Sequence, residues 1–352
     1  MPATMPAVVH YKLEKGAVEL REVPVPAIGE RDVLLRVCGV GVCGSDVHQY
    51  HDSHSWSVRT PVILGHEFCG RIERLGGEVR DFRAGELVVS ETAAEIDESS
   101  PLSRAGLYNL DPRRRGFGYD VDGAMARYVR VPARCLHRVP DGVPPEIAAL
   151  TEPCCVAFNA VAVNSRPCAG ELVVVIGPGP IGLLCAAVAR LSGAGRVVLV
   201  GLARDRARLE TGRLVGATDV IDMEGEDAGA RLAEIGGAFG GGLGAHLVID
   251  AAGHSSTLKS ALDWVRPGGW ITKVGWGPQP LGFSLDPLVR KAVTLQGSFS
   301  HNWPVWERVL ELLASGRLDV KPLLSRVAPL SEWQSCFDAM AGGDAIKSVL
   351  VP

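Results

Sequence analysis

The fourteen-residue stretch "CGSDVHQYHDSHSW", at 43–56, combines one cysteine, three histidines and two aspartates in a chain that has 9 Cys and 9 His. Further along, His66 and Glu67 stand together in "GHE", and Glu152 opens "EPCC". Thiolate, imidazole and carboxylate are the ligands that zinc prefers in proteins. Taken singly, each residue also has a structural reading, since a lone cysteine such as Cys43 is usually a small buried hydrophobe.

A glycine-rich turn is the second pattern that points to chemistry. "VVVIGPGPIG" places Gly177, Gly179 and Gly182 in G-x-G-x-x-G spacing, after a β-branched run and before the helix-like "LLCAAVARL". In that context the glycines allow a tight turn and let a pyrophosphate approach the backbone at a helix N-terminus. We therefore predict that this turn, with Pro180 and Ile181, binds a dinucleotide; an ordinary glycine-rich turn is the alternative.

The ribose-binding acid of such sites is missing from its usual place. It is expected about 20 residues beyond the turn, but the second strand ends at Gly201 and continues into Leu202 and Ala203. Without that acid the site loses a reason to prefer NAD. Arg204 can pair with a 2′-phosphate, which slightly favours NADP, whereas Asp205 can still reach the ribose. A solvated helix start is the remaining alternative.

The elements that must position these residues fall into two regions. Up to about residue 156 the chain contains short β-like segments separated by Gly and Pro, and beyond it apolar strands alternate with helical patterns. Strand–helix alternation predicts a parallel, doubly wound sheet. After about residue 297 the alternation fades into one amphipathic helix, "WPVWERVLELLASG", and a short strand-like tail.

Composition limits the classes of function. The 352 residues are 47% hydrophobic and 22% charged with a net charge of −4, which suits two globular domains and argues against nucleic acid or an anionic membrane surface as a partner. The uncharged run at 172–189 is interrupted by glycines and prolines, so we expect no membrane span there. Scattered cysteines and an opening segment without a signal-peptide pattern predict reduced thiols or metal ligands in a cytoplasmic protein.

Five motifs together resemble those of one enzyme family. "CGSDVH", "GHEFCG", "GELVV", "TEPCCVAFNAV" and "VVVIGPGPIG" occur in the order seen in the zinc-dependent medium-chain dehydrogenases. The chain is most similar to the branch of sorbitol (polyol) and threonine dehydrogenases, over essentially all 352 residues. The resemblance implies an α/β protein with a GroES-like β-rich catalytic domain at 1–156 and 297–352 and a Rossmann doubly wound domain at 157–296.

The resemblance also implies the metal ligands. Cys43, His66 and Glu67 match positions that hold one catalytic zinc, and Glu152 matches a residue that adds a ligand or holds the zinc-bound water. In the polyol branch the residue at the position of Glu67 ligates zinc directly, and in other branches it lies behind the metal. Zinc at such a site acts as a Lewis acid on an alcohol oxygen.

Proton transfer is assigned by the same resemblance. Ser45 matches the hydroxyl residue beside the zinc, and His48 matches the histidine that carries its proton to solvent. A histidine suits that role because it titrates near neutral pH. The hydride would pass to the nicotinamide of NAD or NADP.

The chain departs from the family in three places. Many relatives bind a second zinc through four cysteines in a lobe that corresponds to 92–120, but those positions are here Asp97, Ser100, Ser103 and Asp111. We therefore expect no structural zinc and a lobe that is held by packing and hydrogen bonds or is mobile. Asn159 replaces a histidine of many polyol enzymes. A tail after His48 contains residues that either contact substrate or form a polar loop: His51, Asp52, His54 and Trp56.

These observations lead to an expected function and its alternatives. We expect hydride transfer between NAD(P) and a secondary alcohol of a polyol, sugar or cyclitol-like compound, by a homo-oligomer of two or four copies. An amino-alcohol or threonine dehydrogenase, a zinc-free reductase of the same fold, and a related protein without catalysis are the alternatives. Of the histidines without a motif, only His301 in "SFSHNW" is expected near a pocket, and Cys154 and Cys155 are expected to serve packing.

Overall fold

The computed structural model describes residues 2–239 and 241–352, and the chain divides into two compact units. The first unit runs to Glu152 and includes His301–Ser315 and Leu324–Pro352. The second unit consists of Pro153–Ser300 and Gly316–Leu323. The predicted domain limits lie a few residues from these divisions and remain a prediction.

The strands, in chain order, are β1 (Thr4–His10), β2 (Val18–Pro24), β3 (Asp32–Gly41), β4 (Val62–Ile63), β5 (Glu67–Leu75), β6 (Leu87–Ser90), β7 (Tyr128–Pro132), β8 (Leu136–Arg138), β9 (Leu172–Ile176), β10 (Arg196–Gly201), β11 (Asp219–Asp222), β12 (Ala245–Asp250), β13 (Val265–Lys273), β14 (Thr294–Gly297), β15 (Leu324–Pro329) and β16 (Lys347–Val351).

The α-helices are α1 (Gly44–Tyr50), α2 (Pro101–Arg104), α3 (Pro145–Ala148), α4 (Thr151–Phe158), α5 (Pro180–Leu191), α6 (Arg206–Val215), α7 (Ala228–Phe239), α8 (Ser255–Trp264), α9 (Asp286–Arg290), α10 (Trp303–Ala314) and α11 (Trp333–Gly342). A π-helical turn at Asn159–Ser165 continues α4. Short 3₁₀ helices lie at Tyr108–Leu110, Ala133–Cys135, Ala203–Asp205, Lys321–Leu323 and Leu330–Glu332.

The first unit is built on two mainly antiparallel sheets. One has the order β2-β1-β4, and the other has the order β15-β16-β3-β5-β6-β8, with β7 also paired to β3. Their inward side chains share one core, which includes Leu34, Leu35, Phe68, Phe117 and Phe337. Short antiparallel strands with glycine and proline between them agree with the β-rich pattern that the sequence predicts for this region.

The second unit contains a parallel sheet in the order β11-β10-β9-β12-β13-β14. Numbered from its own first strand this is 3-2-1-4-5-6, the order of the Rossmann fold, which confirms the predicted doubly wound sheet. All five residues of β9, "LVVVI", are buried, as expected of a central parallel strand covered on both faces. The bounds of β10 confirm that this strand ends at Gly201.

The C-terminal region contains more elements than the one helix and the strand-like tail that the sequence predicts. Besides α10 and β16, the structure contains β15 and the ten-residue helix α11, "WQSCFDAMAG". In α11 only Trp333, Cys336 and Phe337 are buried, so its apolar stripe is too short to stand out as a period in the sequence.

One helical stretch, Pro145–Ser165, is long and apolar enough to pass a length and composition test for crossing a membrane, with a mean hydropathy of 1.4. Of its most apolar window, 72% is buried inside the protein. Core helices of globular proteins pass the same test, so this is weak evidence for a span.

Candidate metal centre and nucleotide-binding turn

Cys43, His66 and Glu67 converge in the first unit. One ligand atom from each lies within 4.8 Å of those of the other two, and they are the only such cluster of His, Cys, Asp and Glu among the described residues. His66 and Glu67 are buried, whereas Cys43 is partly exposed. A thiolate, an imidazole and a carboxylate at one point suit a zinc ion that keeps a fourth position for substrate. The donor set therefore fits zinc.

Asp46 holds the cysteine of this cluster in place. Cys43 immediately precedes α1, and its backbone N–H donates a 2.8 Å hydrogen bond to Oδ2 of Asp46. The other carboxylate oxygen lies 3.9 Å from Nδ1 of His66. The fully buried Asp46 thus fixes the backbone at Cys43 and lies behind His66, where carboxylates commonly stand behind metal-bound histidines.

Two glycines explain how the "GHE" segment reaches the cluster. Gly65 has a φ of +93°, and a Cβ there would come within 2.8 Å of Met125 and Val40. Gly41 lies opposite Glu67 in the β3–β5 register, and a Cβ there would overlap the Glu67 carboxylate. The backbone thus needs glycine at both positions for His66 and Glu67 to point into the site.

The charges around His66 favour a cation. Burial alone would lower the pKa of His66, but the adjacent Cys43, Asp46 and Glu152 outweigh burial and raise this pKa well above its ordinary value. The same negative groups would stabilise a divalent ion. Since a ligating imidazole must be neutral, metal binding would displace the proton of His66.

Glu152 is held from behind by a residue that the sequence analysis left without a role. Nε2 of His301 lies 2.9 Å from Oε1 of Glu152, and Nε1 of Trp306 donates a 2.8 Å hydrogen bond to Nδ1 of His301. Burial would raise the pKa of Glu152, but His301 and His66 lower it below its ordinary value. The prediction that His301 lies near the site agrees with this contact, although its partner could not be read from "SFSHNW".

Lys347 is a residue of the site that sequence reasoning missed. Its ammonium group contacts the carboxylate of Glu67 and donates a 2.9 Å hydrogen bond to the carbonyl oxygen of Val42. Burial raises the pKa of Glu67, and the charge of Lys347 opposes that rise. The lysine lies 280 residues from its partner, so only the pairing of β16 with β3 reveals the contact.

Ser45 and His48 lie on α1, three residues apart and therefore on the same face. The Ser45 hydroxyl oxygen is buried and has no hydrogen-bond partner among the described residues. Nδ1 of His48 lies 2.9 Å from the hydroxyl of Ser53, and its ring meets that of Trp56 edge-on at 6.2 Å. Partial burial, with His51 and His54 adding positive charge, lowers the pKa of His48.

The loop after α1 brings an aromatic ring to His48. Trp56 also packs on His54, with ring centroids 5.6 Å apart. Asp52 is exposed and has a φ of +51°, and His51 packs against the ring of Tyr50. Trp56 is therefore placed beside a predicted proton carrier, and contact of this loop with substrate stays a prediction.

The glycine-rich turn of the second unit has the geometry of a phosphate site. Gly177 has a φ of +99°, and a Cβ on Gly182 would lie 1.8 Å from the carbonyl oxygen of Gly177. A Cβ on Gly179 would meet nothing within 4 Å, so this backbone is open to a ligand. Pro180 begins α5, and the N–H groups of Ile181 and Gly182 lie in its first turn, where helical N–H groups lack intrahelical acceptors. The turn therefore fits a pyrophosphate.

An acid that the sequence did not reveal, from the segment after β11, lies beside the end of β10. Glu224, which follows β11, accepts a 2.9 Å hydrogen bond from the N–H of Ala203. Asp205 accepts a bond from the N–H of Leu202 and so caps the local 3₁₀ turn, while Arg204 is exposed. Glu224 lies in the acidic segment "DMEGED". That segment was the sequence signal for this contact, because β11 pairs with β10 and brings it to Ala203.

Hydrogen bonds and ion pairs occupy three of the four lobe positions where many relatives have cysteine, whereas the hydroxyl of the fourth, Ser103, is buried and has no hydrogen-bond partner among the described residues. Asp97 pairs with Arg113 and accepts bonds from Ser99, and Ser100 caps α2 by accepting from the N–H of Leu102. Asp111 is buried and accepts from the N–H of Arg113. The lobe thus has polar contacts of its own, as one of the two predicted possibilities requires.

The lobe is also tied to α10. Tyr108 donates a 2.6 Å hydrogen bond to the buried Glu91 and accepts one from the N–H of Trp303. His137 lies 3.5 Å from Glu91, pairs with Glu307 and stacks on Trp306.

The remaining predicted residues have structural surroundings. Asn159 donates a 2.9 Å hydrogen bond to the carbonyl oxygen of Ser300, and Cys154 and Cys155 are fully buried. Nδ1 of the buried His10 lies 3.2 Å from the side-chain oxygen of Gln49.

Two family models match the chain. The one described as "Alcohol dehydrogenase GroES-like domain" matches residues 29–141, and the one described as "Zinc-binding dehydrogenase" matches residues 180–315. With the sheet order above, these matches confirm the predicted fold class.

Curated proteins resemble the chain over their full length. A sorbitol dehydrogenase of Halalkalibacterium halodurans is 37% identical over 349 residues, covering 99% of each chain. An L-threonine 3-dehydrogenase of Bacillus licheniformis is 32% identical over 356 residues, covering 100% of each chain. Among solved structures, a zinc-binding dehydrogenase of Sinorhizobium meliloti 1021 bound to NADP has a TM-score of 0.91, 28% identity and 100% coverage of both chains.

Proposed function

Because the chain belongs to the zinc-type medium-chain dehydrogenases, which are NAD(P)-linked alcohol dehydrogenases, we propose that it oxidises a secondary hydroxyl of a polyol, sugar or cyclitol-like compound. The buried convergence of Cys43, His66 and Glu67 is the observation that carries the proposal. The similarity to a sorbitol dehydrogenase supports a polar substrate. The same cluster argues against a zinc-free reductase, because an enzyme without zinc does not require a thiolate, an imidazole and a carboxylate at one point.

Three residues would hold one zinc ion: Cys43, His66 and Glu67. Glu152 would add a further ligand or hold a water molecule at the metal. When bound, zinc supplies Lewis acidity that makes an alkoxide accessible near neutral pH. We propose one zinc per chain, because three of the four lobe positions, Asp97, Ser100 and Asp111, already have protein partners.

Ser45 and His48 would carry the proton of the alcohol away. The buried Ser45 hydroxyl has a free capacity to accept and donate hydrogen bonds. His48 lies on the same face of α1, at a more exposed position, and its lowered pKa keeps the ring neutral and able to accept a proton. Proton transfer from Ser45 to His48 and then to water is the proposed path.

The dinucleotide would bind at Gly177, Gly179, Pro180, Ile181 and Gly182, with its pyrophosphate at the N-terminus of α5. We propose NADP, with Arg204 as partner of the 2′-phosphate, since Leu202 and Ala203 stand where an acid is usual. NAD is the second candidate because Glu224 brings a carboxylate to Ala203. The solved relative with NADP supports the first choice.

An amino-alcohol such as threonine is the second candidate substrate. The similarity to a threonine dehydrogenase favours it, as does the exposed carboxylate of Asp52, which suits an ammonium group.

We further propose the domain limits 1–156, 157–296 and 297–352, a cytoplasmic location, and a homo-oligomer of two or four copies. The edge position of β14 and the exposure of Val289, at 79%, support an oligomer.

A substrate panel tests the proposal. Sugar alcohols, cyclitols and amino alcohols are each supplied with NAD and with NADP, and formation of reduced cofactor is followed for the zinc-loaded and the chelator-treated protein. We expect turnover of a polyol or cyclitol that is lost on chelation and restored by Zn²⁺. Turnover of amino alcohols alone selects the second candidate, and reduction of enones without metal would contradict the proposal.

A further inference from the structure

Glu152, His301 and Trp306 form a chain of hydrogen bonds inside the first unit. Oε1 of Glu152 lies 2.9 Å from Nε2 of His301, and Nδ1 of His301 lies 2.8 Å from Nε1 of Trp306. All three side chains are buried, with Glu152 exposed to 7%, His301 to 2% and Trp306 to 1%. Solvent therefore does not compete for these bonds.

The indole of Trp306 determines which nitrogen of His301 carries the proton. An indole N–H only donates, so Nδ1 of His301 must accept and Nε2 carries the hydrogen in the neutral ring. The Nε2–H group then points at Oε1 of Glu152. A second proton on Nδ1 would face the N–H of Trp306, so this arrangement keeps His301 a fixed donor and leaves proton transfer to other residues.

Aromatic packing fixes the chain of bonds from behind. The rings of His301 and Trp306 meet edge-on at 5.1 Å, and Trp306 stacks on His137 at 5.4 Å with an angle of 9°. His137 also packs against Trp303 at 4.0 Å. Trp303 and Trp306 both belong to α10, so one helix face supports the histidine.

Glu152 lies beside the candidate metal centre at the other end. Its negative charge raises the pKa of both His66 and Glu67. The family resemblance assigns this position to the metal site, so we take the carboxylate as part of that site. A glutamate side chain has several freely rotating bonds, and holding it in one rotamer removes an entropic penalty from metal or water binding. Groups that orient a ligand in this way commonly change metal affinity when they are replaced.

We propose that His301, held as the Nε2–H tautomer by Trp306, is a positioning residue that fixes one oxygen of Glu152 and leaves the other oxygen for the zinc site. The inference rests on the proposed zinc-dependent function. It adds a residue that the family motifs did not indicate and assigns it a role in metal retention and geometry, with no part in proton transfer.

Two substitutions of His301 test the roles of its two ring nitrogens separately, and a third variant removes the partner of Nδ1. His301→Gln places an amide nitrogen near the position of Nε2 and keeps a donor for Glu152. His301→Asn keeps a polar group near Nδ1 for Trp306 and removes the donor. Trp306→Phe preserves the aromatic volume and removes only the indole N–H. Each variant is prepared with Co²⁺ in place of zinc, and its visible absorption, its loss of Co²⁺ to a chelator and its unfolding midpoint are measured.

We expect His301→Asn to lose Co²⁺ about 10-fold to 10²-fold more readily than the wild type and to shift the visible bands. His301→Gln should stay close to the wild type, and Trp306→Phe should show a smaller change in the direction of His301→Asn. In assays, His301→Asn should lower kcat while the KM for the cofactor is unchanged.

Wild-type Co²⁺ retention and spectrum in both His301→Asn and Trp306→Phe would overturn the inference and leave the proposed function intact. Equal losses in His301→Asn and His301→Gln that follow their unfolding midpoints would also overturn it, because they would indicate a packing role. If His301→Asn does not fold, Trp306→Phe alone decides. A wild-type protein that binds neither Zn²⁺ nor Co²⁺ would refute the proposed function itself.

Discussion

Lys347 and Glu67 form a buried ion pair at the candidate metal centre, with side chains exposed to 2% and 1%. The lysine is anchored by β16 and by the carbonyl of Val42, and the glutamate is one of the three clustered ligand residues. A carboxylate buried at this depth needs a positive partner. Lys347 supplies one positive partner within the chain. A metal ion held by Cys43, His66 and Glu67 would supply a second.

Replacing Lys347 should therefore make stability strongly dependent on zinc. In metal-free Lys347→Met, Glu67 is left as a buried unpaired charge, and we expect the free energy of unfolding to fall by about 3–5 kcal/mol. Added Zn²⁺ should restore more stability to this variant than to the wild type. Denaturant unfolding with and without Zn²⁺ measures both effects.

Lys259→Met is the matched control for that prediction. Lys259 pairs with Asp263 on the surface of α8, where both side chains are more than half exposed. Such a pair contributes about 1 kcal/mol or less. Equal destabilisation of the two variants, or the same response to Zn²⁺ in both, would refute the prediction that Glu67 is a partner of both Lys347 and the metal ion.

His48→Gln should change the pH dependence of alcohol oxidation. Because burial and His51 and His54 lower the pKa of His48, its neutral form persists to lower pH than for an ordinary histidine and can accept a proton there. Without it, water or hydroxide must accept the proton. We expect kcat to fall by up to about 10²-fold near neutral pH, with the deficit shrinking at alkaline pH.

Imidazole buffer should partly rescue His48→Gln, and the affinity for cofactor should stay at the wild-type level. A pH profile that superimposes on that of the wild type would remove His48 from the proton path.

Tyr108→Phe should loosen the attachment of the lobe. It removes the hydroxyl between Glu91 and the N–H of Trp303 and leaves both groups without that partner. Burying unsatisfied polar groups lowers the free energy of unfolding by about 1–3 kcal/mol. Tyr11→Phe, the same change on a ring that is 36% exposed, should have little effect. If the two variants unfold alike, the lobe is held in another way.

Arg204→Ala should weaken NADP binding without affecting NAD. Loss of a charge-assisted contact with the 2′-phosphate corresponds to about tenfold or more in Kd. Glu224→Gln should act in the opposite sense and favour NADP, because it removes a negative charge beside Ala203. Fluorescence titration of each variant with both reduced cofactors measures this. Unchanged NADP affinity in Arg204→Ala would refute the role of Arg204.

The parts of the site that sequence alone predicted are those encoded by short segments. The turn at Gly177–Gly182 and the pair His66–Glu67 depend on local backbone requirements, such as the positive φ of Gly65 and Gly177. Local patterns also predicted the parallel sheet, since central strands of the second unit such as β9 and β10 are short apolar runs.

Contacts between distant segments could not be predicted in the same way. Lys347 lies 280 residues from Glu67, and His301 lies 149 residues from Glu152. Both are single polar residues without a motif, and their partners depend on how β16 and α10 pack in the first unit. Glu224 was missed for a similar reason, because it reaches Ala203 only through the pairing of β11 with β10.

The most direct measurement is the zinc content and turnover of the wild type beside Cys43→Ala, with Cys168→Ala as a control at an exposed cysteine of the second unit. We predict about one zinc per chain for the wild type and Cys168→Ala. Cys43→Ala should contain no zinc and show no turnover, yet bind reduced cofactor with wild-type affinity. Turnover at the wild-type rate by metal-free Cys43→Ala would contradict the account.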